Sequence, residues 1–181
     1  MEHDATPAQR ALRGALVKLM LEKAYARIGV KELCGAAHVA RSTFYAYYDN
    51  TDELLVEIED AHISRIALMN QAVSDPHITT PEDMRFFDQT LAYIQEHQRD
   101  FYALLVTNPD ARFALKWKTE IKKHLRRRRS AQGAPPFSAL TEEVASCAVV
   151  SAVAYYLEND AAVSLEEVHV VLFKALSALD S

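Results

Sequence analysis

Apolar positions recur at steps of three and four along most of the chain, and few runs alternate in the way that marks a strand. Leu12, Leu16, Leu19 and Met20 share one face of the first segment, with Arg13, Lys18 and Arg27 largely elsewhere. Leu55, Ile58, His62, Ile66, Met69 and Val73 form a longer stripe. Helix starts are marked as clearly as faces. Thr6-Pro7-Ala8-Gln9 combines an N-cap, a proline at the first helical position and a capping-box partner. Thr80-Pro81-Glu82-Asp83 and Asn108-Pro109-Asp110 repeat cap and proline, Ser164 with Glu167 forms another box, and Asn50 or Thr51 with Glu53 opens a further helix. The pattern predicts nine helices, near 7–27, 30–37, 41–47, 52–74, 81–97, 99–107, 109–129, 139–158 and 165–179. The fold class is all-α. The clear linker is 130–136, where Gly133 and the Pro135-Pro136 pair cannot continue a helix.

Half of the 181 residues are hydrophobic, enough for a sizeable core without disulfide or metal. No apolar run is expected to span a bilayer, the start of the chain lacks a signal-peptide pattern, and Cys34 and Cys147 sit in apolar surroundings suited to reduced thiols. A cytoplasmic protein is expected. Charge is unevenly divided: through residue 48 seven Lys/Arg face four acids, while the remainder carries thirteen basic and twenty-one acidic residues. A basic N-terminal module on an acidic body suits a protein that meets phosphate with one end. No metal spacing, phosphate loop or catalytic constellation is present, so neither enzyme activity nor a cofactor or metal is expected. The run Lys122 to Arg129 reads as the solvated end of a helix, where cations also suit the dipole.

The most telling stretch runs from Arg41 to Leu54, and just before it Lys31 to Ala37 reads as another short helix. Two short helices meet at His38-Val39-Ala40, with the small Cys34 where they would cross and Leu33, Ala37, Val39 and Phe44 spaced to form a shared core. Arg41, Ser42, Thr43, Tyr45 and Tyr47 are left outward, residue types that grip phosphate or read base edges. This is the pattern of a helix-turn-helix. In full, Gly29 to Leu54 resembles the DNA-binding domain of the TetR family of transcriptional regulators. The resemblance implies a DNA-binding domain of three helices at 1–51, with Thr51 also at phosphate, and a larger ligand-binding and dimerisation domain at 52–181. The chain departs from the family pattern at His38 (usually Gly, with positive φ), Ala40 (often a capping Ser or Asn), Thr51 (commonly Lys), Gly29 and Ala24.

In the body, the aromatic and apolar residues His62, Ile66, Met69, Phe86 and Tyr93, then Phe101, Tyr102, Phe113 and Trp117, are candidate linings for a small apolar or aromatic ligand, although most such residues simply build a core. Val144 to Leu157 is apolar around nearly its whole circumference and must be covered on every side. A homodimer through a two-fold four-helix interface would cover it, using Val144, Ala148, Ser151, Ala152 and Tyr155 with Val168, Leu172, Ala175 and Leu176. The reading that follows is a TetR-like, ligand-responsive repressor that binds a pseudo-palindromic operator in double-stranded DNA as a dimer. The rival is a coactivator or partner-binding adaptor that keeps the fold with weakened DNA binding, which the five departures favour.

Overall fold

The computed structural model describes residues 5–71 and 85–178, with residues 85 and 86 described by backbone alone. The expected helix start at Thr80-Pro81 and the candidate lining residue Phe86 therefore lie outside what is described. Among the described residues there are nine helices and no strand: α1 (Pro7–Glu22), α2 (Val30–Ala37), α3 (Arg41–Tyr45), α4 (Thr51–Gln71), α5 (Arg85–Glu96), α6 (Gln98–Tyr102), α7 (Ala111–Ala131), α8 (Ala139–Glu158) and α9 (Leu165–Ala178). The first three pack with the start of α4 as a head, and the rest form a body. One hydrophobic cluster runs from Leu12 through Phe44, Leu55 and Ile66 to Trp117, Val153 and Leu172.

Local signals place most boundaries. The Thr6 hydroxyl accepts from the Gln9 N–H at 3.3 Å while the Gln9 side chain accepts from the Thr6 N–H at 3.0 Å, closing the capping box on α1. Asn50 caps α4, its Oδ1 accepting from the N–H groups of Asp52 (2.9 Å) and Glu53 (3.1 Å). Ser138 and Ser164 cap α8 and α9 through the N–H groups of Thr141 and Glu167. Gly133, at φ 66°, closes α7 as the expected linker residue.

Three boundaries differ from the sequence reading, each for a physical reason. The first helix stops at Glu22 rather than near 27: Lys23 is extended and a separate 3-10 turn covers Tyr25–Arg27. The cause is the Asn108 side chain, whose Nδ2 donates to the carbonyls of Met20 (2.6 Å) and Lys23 (3.2 Å) and whose Oδ1 accepts from the Tyr25 N–H (2.6 Å). Asn108 is accordingly not the cap of α7. That role falls to Asp110, which accepts from the N–H groups of Arg112 (2.7 Å) and Phe113 (3.3 Å). Between them α6 widens into a π turn, Ala103–Thr107, closed by the Asn108 N–H on the Ala103 carbonyl at 3.0 Å. This turn swings Asn108 toward α1.

By length and composition α8 could cross a membrane, contrary to the sequence expectation that no run would. Here its inner face, Ala145, Val149, Val153 and Tyr156, is buried against the rest of the chain. Its Glu142 takes Arg126 in a two-pronged bond (2.8 and 2.6 Å), and Glu143 holds Lys118 (2.8 Å) and Lys122. The basic run at the end of α7 is thus partly neutralised by α8. Cys147 is half-buried beside this ion cluster, 3.4 Å from a Glu143 oxygen, and not in the apolar core where the sequence reading put it.

His38 is the one non-glycine residue with positive φ among the described residues (φ 54°, ψ 39°), a left-handed conformation that costs a side chain roughly 1 kcal/mol relative to glycine. The His38→Gly variant is expected to melt about 2–4 °C higher, a shift scaled to a chain of this length, and Ala40→Ser to add a similar increment by capping α3. Thermal denaturation followed by circular dichroism checks both, and an unchanged or lower Tm for both would contradict the account of the joint.

Candidate nucleic-acid interface and body cavity

The head presents α3 at its surface because Phe44, fully buried, and Tyr48, 4% exposed, anchor the other side. Their rings pack 5.6 Å apart, and the Tyr48 hydroxyl donates to Glu57 at 3.0 Å, a carboxylate that Arg13 also grips at 2.7 Å through Nε. The backbone turns sharply at His38, so α2 and α3 cross beside buried Leu33 and Cys34. Outward stand Arg41 and Ser42, with Thr43 half-buried. Tyr45 and Tyr47 are 49% and 42% exposed. The Arg41 guanidinium lies 5.9 Å from the Tyr45 ring centre. Thr51 belongs to a different setting: half-buried at the start of α4, its Oγ1 is 3.4 Å from the Tyr25 hydroxyl. Five of the six residues named for this face are therefore together on α3 and its exit turn, and Thr51 stands apart.

Head and body are joined by a polar rack on α7. Arg112 holds Asp52 with two nitrogens (2.9 and 3.0 Å) and reaches Glu59 at 3.3 Å, and Lys116 donates to Glu59 (2.9 Å) and Asp60 (2.5 Å). Glu59 is fully buried, and burial pushes its carboxyl pKa up against the pull of the two cations. Burial opposes the charge of Lys116, but its bonds to Asp60 and Glu59 outweigh this and raise its pKa. Asp52 is held below its ordinary value by the Arg112 bond. Asp52 and Arg112 were not among the residues singled out from sequence, and Asn108 was read only as a helix cap. A clue existed in Asn108-Pro109-Asp110, which carries two cap-type residues where one helix needs only one.

The body residues proposed for a ligand divide into two groups. His62, Tyr93, Phe101, Phe113 and Trp117 form one aromatic cluster, with Phe101 5.7 Å from Trp117 and 4.9 Å from His62. Both His62 nitrogens are engaged, Nδ1 with the Tyr93 hydroxyl (2.8 Å) and Nε2 with Asp100 (3.1 Å), as expected of a histidine satisfied within a core. Tyr102 instead lines a surface groove with Leu21, Arg99 and Leu157, and Met69 is half-buried on α4. Among the described candidates, Ile66 and Trp117 reach a partly open cavity of about 40 Å³ between α4, α5, α7, α8 and α9. Its other walls are Asn70, Phe87, Thr90 and Ile121, then His124, Leu125, Val149 and Leu176. Asn70 was legible in principle, one helical step beyond Ile66 on the α4 stripe. The rest depend on how four other helices meet.

The expected dimer face needs one correction. Val144, Ser151, Tyr155 and Ala175 are exposed, and Ala148 and Ala152 half-buried, in one stripe along α8 and beside it on α9. Val168 and Leu172, however, are 5% and 1% exposed inside the chain, and Leu176 faces the cavity. α9 is rotated so that this set serves the core, while Val171, 54% exposed, turns outward.

The architecture so far defines a class: a helix-turn-helix head locked to a helical body with a small, partly open cavity. Residues 12–58 match the family model described as bacterial regulatory proteins, tetR family. The chain is 32% identical over 87 residues to the transcriptional regulator AcuR of Cereibacter sphaeroides, a match that covers 46% of this chain and 39% of that protein, so it aligns with well under half of this curated relative. A TetR transcriptional regulator from Streptococcus agalactiae has the same fold at a TM-score of 0.71 and 19% identity, with 93% of each chain covered. The fatty acid degradation regulator FadR from Bacillus halodurans does so at 0.69 and 16%, with 96% of this chain and 98% of that one covered. The head thus matches the tetR family model over residues 12–58, and over its length the chain has the fold of these solved structures.

Two measurements test this geometry. Asn108→Ala strands two carbonyls and an N–H at the end of α1, and should cost about 2 kcal/mol, or some 4–8 °C in Tm; an unchanged Tm would show that water replaces the amide. His124 is 9% exposed, and burial first, then the charges of Arg127 and Arg128, lower its pKa from 6.5 to about 4. The unfolded chain then binds a proton that the folded chain refuses between those values, so stability is intact above pH 6.5 and falls as pH drops toward 4. Near pH 5 the loss should be about 2 kcal/mol, and the difference between wild type and His124→Gln, followed by denaturant titration at pH 7 and pH 5, should reveal it. Parallel pH dependence in the two proteins would contradict the assignment.

Proposed function

We propose that the protein is a dimeric, DNA-binding transcriptional regulator of the cytoplasm, which binds a pseudo-palindromic operator and releases it when a small molecule occupies the body. The observation that carries this reading is the outward face of α3, where Arg41, Ser42, Tyr45 and Tyr47 are exposed beside a left-handed turn at His38. Arg41 suits a guanine edge or a phosphate, and the hydroxyls of Ser42, Thr43, Tyr45 and Tyr47 suit phosphate oxygens. A second copy of the chain is the partner that the exposed stripe of Val144, Ser151, Tyr155 and Val171 fits, since apolar and small residues there lack cover within one chain. A dimer sets two recognition helices one turn of duplex apart, and this spacing is what a ligand would disturb. Repression is the proposed sense of control.

A second reading draws on Ala40 and Thr51. Ala40 gives α3 no side-chain cap, and the Thr51 hydroxyl lies against Tyr25. Both favour a fold-sharing adaptor or coactivator whose grip on DNA has weakened. One titration separates the two. The purified protein is titrated onto duplex from its own upstream region and onto a scrambled duplex of equal length, across a salt series. The regulator reading expects tighter binding to the native duplex, with Tyr45→Ala costing about tenfold or more on it and little on the scrambled one. Equal, weak binding to both duplexes at low salt would remove the regulator reading and leave the adaptor.

A further inference from the structure

Between Lys31 and Arg65 the chain carries a single Lys or Arg, and it is Arg41, the first residue of α3. The other outward side chains of this helix and its exit turn are Ser42, Thr43, Tyr45 and Tyr47, whose hydroxyls bond to more than one base or to phosphate. No Asn, Gln, Asp or Glu stands on α3 to match adenine or cytosine. Any sharp choice of base by α3 therefore falls to Arg41. Resting on the regulator reading above, we propose that Arg41 selects a guanine in each half-site through that base's O6 and N7 atoms. Tyr45 is the positioning residue that holds the guanidinium for this contact.

The geometry runs outward from the core in two steps. Phe44 is fully buried, and the Tyr45 ring stands edge-on to it, with ring centres 5.4 Å apart and planes at 84°. The Arg41 guanidinium carbon in turn lies 5.9 Å from the centre of the Tyr45 ring, four residues back on the same side of the helix. A ring seated on the core thus holds a long, mobile side chain. Arg41 is exposed and, among the described residues, has no carboxylate partner, unlike Arg13 on Glu57 and Lys23 on Glu32. Its planar fork of N–H donors is left to the DNA.

Position and planarity decide between the two partners that an exposed arginine can take. The first residues of a recognition helix are those that meet base edges in the major groove, and Arg41 opens α3. Guanine presents two acceptors on one edge, in the plane of the base, and a guanidinium meets both only when its own plane is set. A phosphate oxygen demands less orientation and carries no sequence information. An arginine gives up much rotamer freedom when it binds. Stacking on Tyr45 removes part of that freedom before the duplex arrives, so the ring sharpens discrimination without itself touching the base.

The full-length protein is titrated onto duplex from its own upstream region in which each guanine is replaced in turn by 7-deazaguanine, which keeps base pairing and removes N7. Binding is read by fluorescence anisotropy, with a scrambled duplex alongside. One replacement in each half-site is expected to weaken wild-type binding about tenfold. In Arg41→Ala that penalty should vanish. Tyr45→Phe, which keeps the ring, should retain it. Tyr45→Ala should cut the penalty by about threefold or more, with binding to the scrambled duplex within about twofold of wild type. A merely structural role for Tyr45 would weaken both duplexes alike and leave the penalty unchanged, an outcome that removes the positioning role. If no replacement matters although the native duplex is still preferred, or if the penalty persists in Arg41→Ala, the guanine assignment is overturned while the regulator reading survives. Equal binding of the wild type to native and scrambled duplexes removes both.

Discussion

The placement of the head depends on a single side-chain amide. Asn108 sits where the π turn ends and α7 has yet to begin, and it serves the carbonyls of Met20 and Lys23 and the N–H of Tyr25 at once. A helix end leaves carbonyls without partners, and at α1 a distant part of the chain supplies one. Because a polar group left unpaired in this half-buried seam costs stability, the bridge acts by disfavouring alternatives: α1 does not extend, slide or pivot without breaking three bonds together. The Arg112 and Lys116 contacts to α4 then secure the second helix that joins head and body. Of these, the Arg112–Asp52 pair is the more exposed and the Glu59 contacts the more deeply set.

Electrostatics in the body are arranged by helix pairs. α7 sends Arg112 and Lys116 to α4, and Lys118, Lys122 and Arg126 to α8. One strongly basic helix is thereby held between two acidic faces, while its Phe113, Trp117 and Leu125 fill the core. Glu143, with two lysines and the Cys147 thiol against it, has its pKa drawn down to about 2. A basic run that by sequence reads as the solvated end of a helix is in part a fastener to α8.

The head was largely legible in the sequence because its information is local. Caps, the left-handed position at His38, and the inward spacing of Leu33, Cys34 and Phe44 all act within a few residues of one another. The departures from the family pattern were visible as well, though their structural expression was not: His38 takes the strained conformation, whereas Thr51 finds a neighbour in Tyr25. The body was legible only as helices. Periodicity told which residues on α9 were apolar but not which of two apolar faces turned inward, so Val168 and Leu172 were expected outside and Val171 was left out of the expected face. The cavity draws its walls from five helices, and such a site is written in no single stretch of chain. The first helix was read as too long because its terminator lies more than eighty residues away.

The unbroken core from Leu12 to Leu172 has a consequence for how such proteins vary. The head is not a cartridge. Transplanted onto another body it would arrive with open carbonyls at the end of α1 and with Asp52, Glu59 and Asp60 facing a helix that lacks their cations. The outer face of α3 and the lining of the cavity can therefore change by substitution, but the seam between them has to be inherited as a matched pair.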